Sequence, residues 1–266
     1  MKVGIVGLGS IGRTIARNLH EGKIPKAVLA GATVRDRVKA EAFLQEIGSK
    51  APILAIKELA ANADIVVECA PPGVLADVAA PILSAGKKLM CLSAGMLLRH
   101  PELIALAKEH GGQIIVPTGA LIGFDAVSAA AESEIQSVKM ITRKPVKGLL
   151  GAPYLVKNNI EIANIRAPLL VFQGSARDAA AGFPENVNVA AALSLAGIGA
   201  DRTTIEIWAD PSVTRNIHRV VVEADSARFE MSIENVPSEN PKTGRITALS
   251  ALAALRKMTA PLRVGT

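Results

Sequence analysis

Aromatic residues, cysteine and histidine are all scarce in this chain of 266 residues. Aromatic residues make up 3% of it, and there are two cysteines and four histidines. Cys69 and Cys91 both lie in apolar runs, which argues against a disulfide framework and favours a reducing compartment. No group of histidines and cysteines has the spacing of metal ligands, so the sequence predicts no metal site. The Gly-x-Ser-x-Gly motif is also missing, so nothing supports the nucleophile elbow of a hydrolase.

Long hydrophobic runs are missing as well. No uninterrupted apolar stretch approaches the ~18–20 residues that a membrane-spanning helix needs. Met1 and Lys2 lead directly into an apolar strand, without the regions of a signal peptide. We therefore expect a soluble, cytoplasmic protein that has no membrane partner.

Positive charge is in modest excess but is not concentrated. The formal net charge is +6 and the isoelectric point is near 9.4. Nucleic-acid-binding proteins gather lysine and arginine in stripes, often beside stacking aromatic residues. Here the basic residues are scattered along the chain. This distribution predicts no nucleic-acid partner and favours a mildly basic enzyme that handles anionic cofactors and substrates.

The apolar residues are half of the chain and are mainly alanine, valine, isoleucine and leucine, as in parallel strands covered by helices. Up to residue 120, short apolar runs alternate with segments of helical spacing. Strands are predicted at 2–7, 27–34, 64–70, 88–93 and 113–117. This alternation predicts an α/β fold with a Rossmann-type, doubly wound parallel sheet.

After residue 120, strand-like segments follow one another with fewer helices between them. They lie at 138–143, 203–208, 217–224 and 227–235, with one clear helix at 185–196. They predict a second α+β domain, for substrate binding and dimerisation, of mostly antiparallel strands. A last helix at 245–258 is expected to pack back on the first domain. The predicted domains are therefore 1–120 plus 245–266, which binds a dinucleotide, and 121–244, which binds substrate. Because an antiparallel sheet needs one face covered, and a second copy of the chain would supply that cover, we also expect a homodimer.

Gly7, Gly9 and Gly12 form a G-x-G-x-x-G motif between the first strand and the first helix. Gly7 permits a tight turn, Gly9 lets a pyrophosphate approach the backbone, and Gly12 lets the helix pack closely on the sheet. The N–H groups at the helix start, around Ser10 and Ile11, then face the phosphate charge. A glycine turn without a ligand is the alternative. The position of the motif favours a site for NAD or NADP.

Residues that follow the next predicted strands are candidates for the rest of this site. Arg35 is placed to pair with the 2′-phosphate of NADP, and Asp36 to bind the ribose hydroxyls of NAD. Both are also consistent with solvated loop charges, so the cofactor preference stays open. Ala70 with Pro71, and Ser93, lie where two further strands end, at the carboxyl edge of the sheet, where ligands bind in open parallel sheets. Ordinary strand-to-helix turns have similar sequences.

His218 is the strongest candidate for acid–base chemistry. The other three histidines lie at the ends of predicted helices, whereas His218 enters a valine-rich strand of the second domain. Period-two alternation puts Asn216, a candidate substrate-binding residue, on the same face of this strand. A histidine that titrates near neutrality is suited to proton transfer while a hydride leaves a carbon atom. A structural histidine with satisfied hydrogen bonds is the alternative.

The segment 240–245 combines a turn with two cations and a hydroxyl just before the last helix. Its Lys242, Thr243 and Arg245 are candidate ligands for a substrate carboxylate. Such a segment is more often a plain loop followed by a helix cap.

Together these residues resemble the L-aspartate dehydrogenase family. The matching features, in family order, are the glycine motif at 7–12, Gly119-Ala120, Phe183-Pro-x-Asn-Val-Asn188, Asp210-Pro through Arg215-Asn-x-His218, and Asn240-Pro-Lys-Thr-Gly244. They span nearly the whole chain and are jointly far more specific than any one of them. The family fold, a Rossmann domain plus an α+β substrate domain, agrees with the predicted segmentation.

The resemblance implies NAD(P)-dependent oxidative deamination of L-aspartate. Hydride transfer from Cα to the nicotinamide gives iminoaspartate, which hydrolyses to oxaloacetate and ammonia or feeds pyridine nucleotide biosynthesis. The catalytic histidine of the family falls on His218, and the cofactor contacts fall on Ala120, Ile122 and Asn188. Ile122 is a departure, because a small residue, usually alanine, is expected there.

Two other functions stay open on the sequence alone. One is the NAD(P)-dependent reduction of another small acid or imine, as in enzymes similar to dihydrodipicolinate reductase or homoserine dehydrogenase. The other is a non-catalytic protein that binds the cofactor and senses it.

Overall fold

A computed structural model describes residues 1–184, 188–237 and 244–265, and the chain divides into two compact units. The first unit contains Met1–Gly119 and Thr247–Val264, and the second contains Ala120–Ile246. No helix among the described residues is long and apolar enough to cross a membrane.

The first unit alternates strands and helices along the chain. Its strands are β1 (Lys2–Val6), β2 (Val28–Thr33), β3 (Ile65–Glu68), β4 (Lys88–Cys91) and β5 (Gln113–Ile115). Its helices up to residue 119 are α1 (Ser10–His20), α2 (Arg37–Glu46), α3 (Ile56–Asn62), α4 (Leu75–Ser84), α5 (Ala94–Leu97) and α6 (Glu102–His110).

The five strands of this unit form one parallel sheet in the order β2-β1-β3-β4-β5. Successive side chains of β1 enter two different cores. Val3 and Ile5 pack in a cluster that includes Ile15 of α1, whereas Val6 packs in a cluster that includes Leu83 of α4. Helices therefore cover both faces of the sheet, which confirms the predicted doubly wound fold. The strand order reverses between β1 and β3, and ligands bind beside the carboxyl ends of such strands.

The second unit is built around a mixed sheet. Its strands are β6 (Ile135–Lys144), β7 (Leu169–Ser175), β8 (Thr203–Ala209), β9 (Asn216–Ala224) and β10 (Arg228–Asn235). Its helices are α7 (Phe124–Ala130), α8 (Pro153–Lys157), α9 (Ala176–Gly182) and α10 (Asn188–Ala196). The predicted helix at 185–196 is thus described from Asn188 onward.

The sheet order is β10-β9-β6-β8-β7, and three of its four strand pairs are antiparallel. The prediction of mostly antiparallel strands is confirmed, but β6 and β8 run parallel. Strand β7 was not predicted, because it is an edge strand that lacks regular alternation and contains Gly174. Helices of seven residues such as α3, α7 and α9 were not predicted either, because they are too short to establish a helical period.

The last helix, α11 (Arg245–Thr259), contributes to the core of the first unit. Ala251, Leu252 and Leu255 are buried in the same cluster as Val3 and Ile15. Burial of each large aliphatic side chain contributes about 1.5–3 kcal/mol. The contacts of these α11 side chains therefore hold the last helix to the first unit.

Candidate active site

The turn between β1 and α1 accepts only glycine at two positions. Gly7 has a φ of +90°, and a Cβ atom added there would lie 2.7 Å from the carbonyl oxygen of Cys69. A Cβ atom added at Gly12 would lie 2.0 Å from the carbonyl oxygen of Gly7. The first glycine is therefore needed for the turn, and Gly12 for the close approach of α1 to the sheet.

Gly9 faces open space instead. A Cβ atom added there would meet no described heavy atom within 4 Å. Gly9 is the N-cap of α1, and Ser10, the first residue of the helix, is exposed while Ile11 is half-buried. The first N–H groups of a helix have no partner within it, so they attract an anion to this space. These residues fit the pyrophosphate of a dinucleotide.

The residues after β2 have different roles. Asp36 is the N-cap of α2, where it accepts a hydrogen bond of 3.1 Å from the Lys39 backbone, and it also lies 3.2 Å from Lys39 Nζ. The hydrogen bonds from Lys39 lower the pKa of Asp36. Arg35 is exposed beside this cap. The expected ribose contact from Asp36 thus competes with helix capping, whereas a phosphate contact from Arg35 does not.

Glu68 connects the two turns that contain Ala70, Pro71 and Ser93. It is fully buried at the end of β3, and it accepts hydrogen bonds from the Ala70 N–H (2.9 Å), the Ser93 N–H (3.0 Å) and the Ser93 hydroxyl (3.1 Å). Burial raises the pKa of this carboxyl, and the hydrogen bonds oppose that shift. Pro71 is exposed beside Ala70, and Ser93 is buried. The structure therefore brings the predicted residues at the ends of β3 and β4 together through a carboxylate that the sequence analysis missed.

His218 lies on the buried face of the second sheet, with 3% of its surface exposed. Thr142 of β6 is its partner across the strands, and the Thr142 hydroxyl lies 3.1 Å from His218 Nδ1. Burial, and then the positive charge of Lys144, lowers the pKa of His218 to about 3. The expectation of a histidine that titrates near neutrality is wrong for the protein alone, because the imidazole is buried and lies near the positive charge of Lys144. The imidazole is neutral and can accept a proton.

A row of polar side chains continues from His218 to the end of the sheet. Thr142 of β6 lies opposite His218 of β9. The next residue of β6 on the same face is Lys144, and it lies level with Asn216 at the start of β9. Asn216 pairs in turn with Asn235, the last residue of β10. Lys144 is 4% exposed and Asn235 is 3% exposed. Burial lowers the pKa of Lys144 to about 8.

Asn235 connects this row to the segment at 120–122. Its side-chain N–H donates a hydrogen bond of 2.9 Å to the carbonyl oxygen of Ala120. Its Oδ1 atom is buried and has no hydrogen-bond partner among the described residues. Ile122 is half-buried beside Leu121, which is 1% exposed. The backbone at Ala120 is therefore fixed by the same row of residues that carries His218.

Two other predicted site residues, Asn188 and Arg245, lie at the starts of helices. Asn188 is the first residue of α10 and is half-buried. Arg245 begins α11, has an exposed side chain, and donates its backbone N–H to the Val236 carbonyl oxygen at 2.9 Å. Lys242 and Thr243 lie outside the described residues. The structure thus leaves their expected contact with a substrate carboxylate as a prediction.

Asp210 supports the strand that carries His218. Its buried carboxylate accepts hydrogen bonds from the Ser212 hydroxyl (2.6 Å) and from Arg143 (3.0 Å). Its backbone N–H donates to the carbonyl oxygen of Lys144 at 2.8 Å. Burial raises the pKa of Asp210, but the hydrogen bonds from Ser212 and Arg143 lower it by more. This carboxylate therefore stays ionised and fixes the turn between β8 and β9.

Sequence signals for the missed residues exist in hindsight. Glu68 ends the apolar strand Ile65-Val-Val-Glu68, where a charged residue is unexpected. Lys144 follows Val138, Met140 and Thr142 on one face of a strand, so alternation alone puts a lysine on the buried face. The neighbours of these residues across the sheets are not readable from either pattern.

A parallel sheet of this order, with a glycine turn at the point where the order reverses, defines the class of dinucleotide-binding α/β enzymes. Comparison with known families agrees with that class. A family model described as "Homoserine dehydrogenase, NAD binding domain" matches residues 7–117, and one described as "Aspartate dehydrogenase, C-terminal" matches residues 125–258.

Two curated relatives cover nearly the whole chain. An L-aspartate dehydrogenase of Bradyrhizobium diazoefficiens is 57% identical over 266 residues, which are 100% of this chain and 94% of that protein. L-aspartate dehydrogenase 3 of Bordetella bronchiseptica is 53% identical over 99% of this chain and 97% of its own length. A crystal structure of aspartate dehydrogenase from Thermotoga maritima has the same fold, with a TM-score of 0.75 and 23% identity over 100% of this chain and 99% of that one.

The chain belongs to the L-aspartate dehydrogenase family. It is an oxidoreductase of the group that acts on CH–NH2 donors, and its cofactor is NAD or NADP. Its partner is a small-molecule substrate.

Proposed function

We propose that this enzyme oxidises L-aspartate to iminoaspartate, which hydrolyses to oxaloacetate and ammonia, in a reversible reaction. The observation that carries this proposal is the buried neutral imidazole of His218, bonded to Thr142 and next to a buried cation, Lys144. Membership of the family supports the choice of substrate.

The residues of the first unit suit a dinucleotide. Gly7, Gly9 and Gly12, with the N–H groups at Ser10 and Ile11, would hold its pyrophosphate. Arg35 would hold a 2′-phosphate, while Ala70, Pro71 and Ser93 would line the carboxyl edge of the sheet. Cofactor contacts at Ala120, Ile122 and Asn188 are proposed from the family resemblance. When bound, the nicotinamide ring supplies the hydride acceptor.

His218 is the proposed general acid and base. Thr142 fixes one ring nitrogen at 3.1 Å, which leaves Nε2 for the substrate. With Nδ1–H donating to Thr142, Nε2 is the acceptor that takes a proton from the substrate ammonium or from the attacking water. A neutral imidazole is required for this step, and burial of His218 ensures it. In the reverse direction the protonated ring returns the proton.

We also propose that the protein is a cytoplasmic homodimer whose domains, 1–120 plus 245–266 and 121–244, bind dinucleotide and substrate respectively. Ile141, Trp208 and Val221 are only half-buried on the sheet face opposite His218, which supports a partner there. Light scattering after size-exclusion chromatography should give twice the chain mass, and a monomer at micromolar concentration would contradict the dimer.

His218→Gln tests the catalytic assignment. General acid–base catalysis contributes about 10²–10⁴-fold, so kcat with L-aspartate should fall by that factor. Affinity for NADH and NADPH, measured by calorimetry, should change less than about twofold, because this variant leaves the glycine turn intact. Turnover that survives within a few-fold would show that His218 is not the base. Equal losses of cofactor affinity and kcat would indicate a structural role instead.

A further inference from the structure

Glu68 is a buried acid that the reaction proposed above does not use. It is the last residue of β3, and its side chain is fully buried. Acidic side chains are almost never fully buried unless they are paired. Among the described residues, the partners of Glu68 are backbone N–H groups, a hydroxyl and a thiol, and no basic side chain is one of them. An apolar residue at this strand end would avoid the cost of burying a carboxyl group, so Glu68 needs a functional account.

Both carboxyl oxygens of Glu68 hold backbone that lies beyond the ends of strands. Oε1 accepts hydrogen bonds from the Ala70 N–H at 2.9 Å and from the Ser93 hydroxyl at 3.1 Å. Oε2 accepts a hydrogen bond from the Ser93 N–H at 3.0 Å and lies 3.8 Å from the Cys91 thiol. The last pair of residues between β3 and β4 is Glu68 with Cys91. One side chain therefore fixes the backbone that follows β3 against the backbone that follows β4.

The glycine turn lies against the same backbone. The Cys69 N–H donates a hydrogen bond of 2.8 Å to the Val6 carbonyl oxygen. A Cβ atom added at Gly7 would lie 2.7 Å from the Cys69 carbonyl oxygen and 3.2 Å from Ala70 Cα. The strand order reverses between β1 and β3, and ligands of open α/β sheets bind in the crevice at such a point. The backbone that Glu68 fixes therefore borders the same crevice as the glycine turn.

We propose that Glu68 is a positioning residue for the dinucleotide, because it holds the turns after β3 and β4 in the geometry that receives the cofactor. Ala70, Pro71 and Ser93 would line the site, and Glu68 would act through their backbone without touching the cofactor or the reacting atoms. The inference depends on the NAD(P) cofactor of the family and not on L-aspartate as the substrate. Cofactor binding alone is therefore enough to test it.

Glu68→Gln tests this role, because glutamine has nearly the same shape but only one acceptor oxygen. In either orientation of the amide, its NH2 group faces a backbone N–H, of Ala70 or of Ser93, that the carboxyl group of Glu68 accepts. One of the two turns therefore loses a hydrogen bond to a charged group, which is worth a factor of about 10–150. In calorimetric titrations, the affinity of Glu68→Gln for NADH and for NADPH should each be lower by at least about tenfold.

Asp64→Asn is the matched control. Asp64 also accepts a hydrogen bond from backbone, the Lys2 N–H at 2.7 Å, and it thereby joins β1 to the residue before β3. It is exposed at the amino edge of the same sheet, whereas ligands bind at the carboxyl edge. Asp64→Asn should therefore leave both cofactor affinities within about twofold. A similar loss of affinity in the two variants would refute the proposal, because any weakened strand pair would then impair binding.

Backbone hydrogen exchange separates positioning from a merely structural role. In Glu68→Gln without cofactor, exchange should become faster at residues 69–74 and 92–95 and stay unchanged in β2 and α6. Faster exchange throughout the first unit would indicate a structural role and overturn the proposal. A lower melting temperature together with normal cofactor affinity would overturn it as well.

The unsubstituted protein provides a test that does not depend on the folding of the variant. NADH should slow exchange at residues 69–74 and 92–95, and unchanged exchange in both segments with NADH bound would contradict the proposal. Failure of the proposed reaction has a different signature. Loss of cofactor affinity in Glu68→Gln, with no turnover of L-aspartate by the unsubstituted protein, would keep the role of Glu68 and refute the reaction.

Discussion

Alanine substitutions at Gly9 and at Gly12 are expected to damage the protein in different ways. A Cβ atom at Gly12 would lie 2.0 Å from the Gly7 carbonyl oxygen, which is backbone and cannot move aside without opening the turn. A Cβ atom at Gly9 would meet no described heavy atom within 4 Å. Gly12→Ala therefore strains the fold, whereas Gly9→Ala fills the space proposed for the pyrophosphate.

The size of each effect can be worked out from these contacts. Overpacking against backbone costs about 3 kcal/mol, at the upper end of the usual range, and the helix preference of alanine over glycine offsets about 1 kcal/mol of it. The net loss of about 2 kcal/mol corresponds to a melting temperature roughly 4–8 °C lower for Gly12→Ala. At Gly9, where φ is −76°, the loss of a favourable N-cap costs about 1 kcal/mol. The reduced freedom of the unfolded chain offsets about 0.4–1 kcal/mol of that cost. Gly9→Ala should therefore have a melting temperature close to that of the unsubstituted chain.

Two assays separate these outcomes. Thermal unfolding without cofactor, followed by circular dichroism, measures the effect on the fold, and calorimetric titration with NADH and with NADPH measures the effect on binding. We expect Gly9→Ala to lower the affinity for both cofactors by at least about tenfold, which is the equivalent of one lost hydrogen bond to a charged group. Normal cofactor affinity in Gly9→Ala, or an unchanged melting temperature in Gly12→Ala, would refute the assignment of these two glycines.

Two further predictions concern charge. Arg35→Ala should lower the affinity for NADPH by about tenfold, because a charge-assisted contact is lost, and should leave the affinity for NADH within about twofold. Equal effects on the two affinities would contradict a contact with the 2′-phosphate. The free energy of unfolding should fall as the pH is lowered from 6.5 towards 3, because the unfolded chain protonates His218 at 6.5 while the folded chain holds its pKa at about 3. The contribution of this residue is up to about 1.4 kcal/mol per pH unit, so urea unfolding of His218→Gln should depend less on pH in that window. If the free energies of unfolding of the unsubstituted chain and of His218→Gln changed in parallel with pH, His218 would not be buried in its neutral form.

Local patterns were enough to predict the strands of the first unit and most of its helices, although α3 and α5 were not predicted. Its strands are short apolar runs, its helices have apolar residues at helical spacing, and Gly7, Gly9 and Gly12 have roles that depend on the turn alone. Alternation also predicted that Asn216 and His218 share a face of β9. These features are decided by residues close together in sequence.

Features that depend on strand register were not predictable in the same way. Thr142 and Lys144 approach His218 only because β6 pairs with β9 in one register, and Glu68 reaches Ser93 only because β3 lies beside β4. The depressed pKa of His218 is a consequence of that register, because it combines burial with a neighbouring cation. A single sequence contains no local signal for such long-range pairs.

Formation of reduced nicotinamide from L-aspartate is the measurement that tests the proposed activity most directly. The purified protein is mixed at alkaline pH with NAD or NADP and with L-aspartate, D-aspartate, glutamate, alanine or homoserine, and the absorbance of the reduced ring is followed. We predict that absorbance rises with L-aspartate and not with D-aspartate, and the better cofactor is identified in the same experiment. Reduction with another acid of the panel in place of L-aspartate, or no reduction while NADPH still binds, would contradict the proposed reaction.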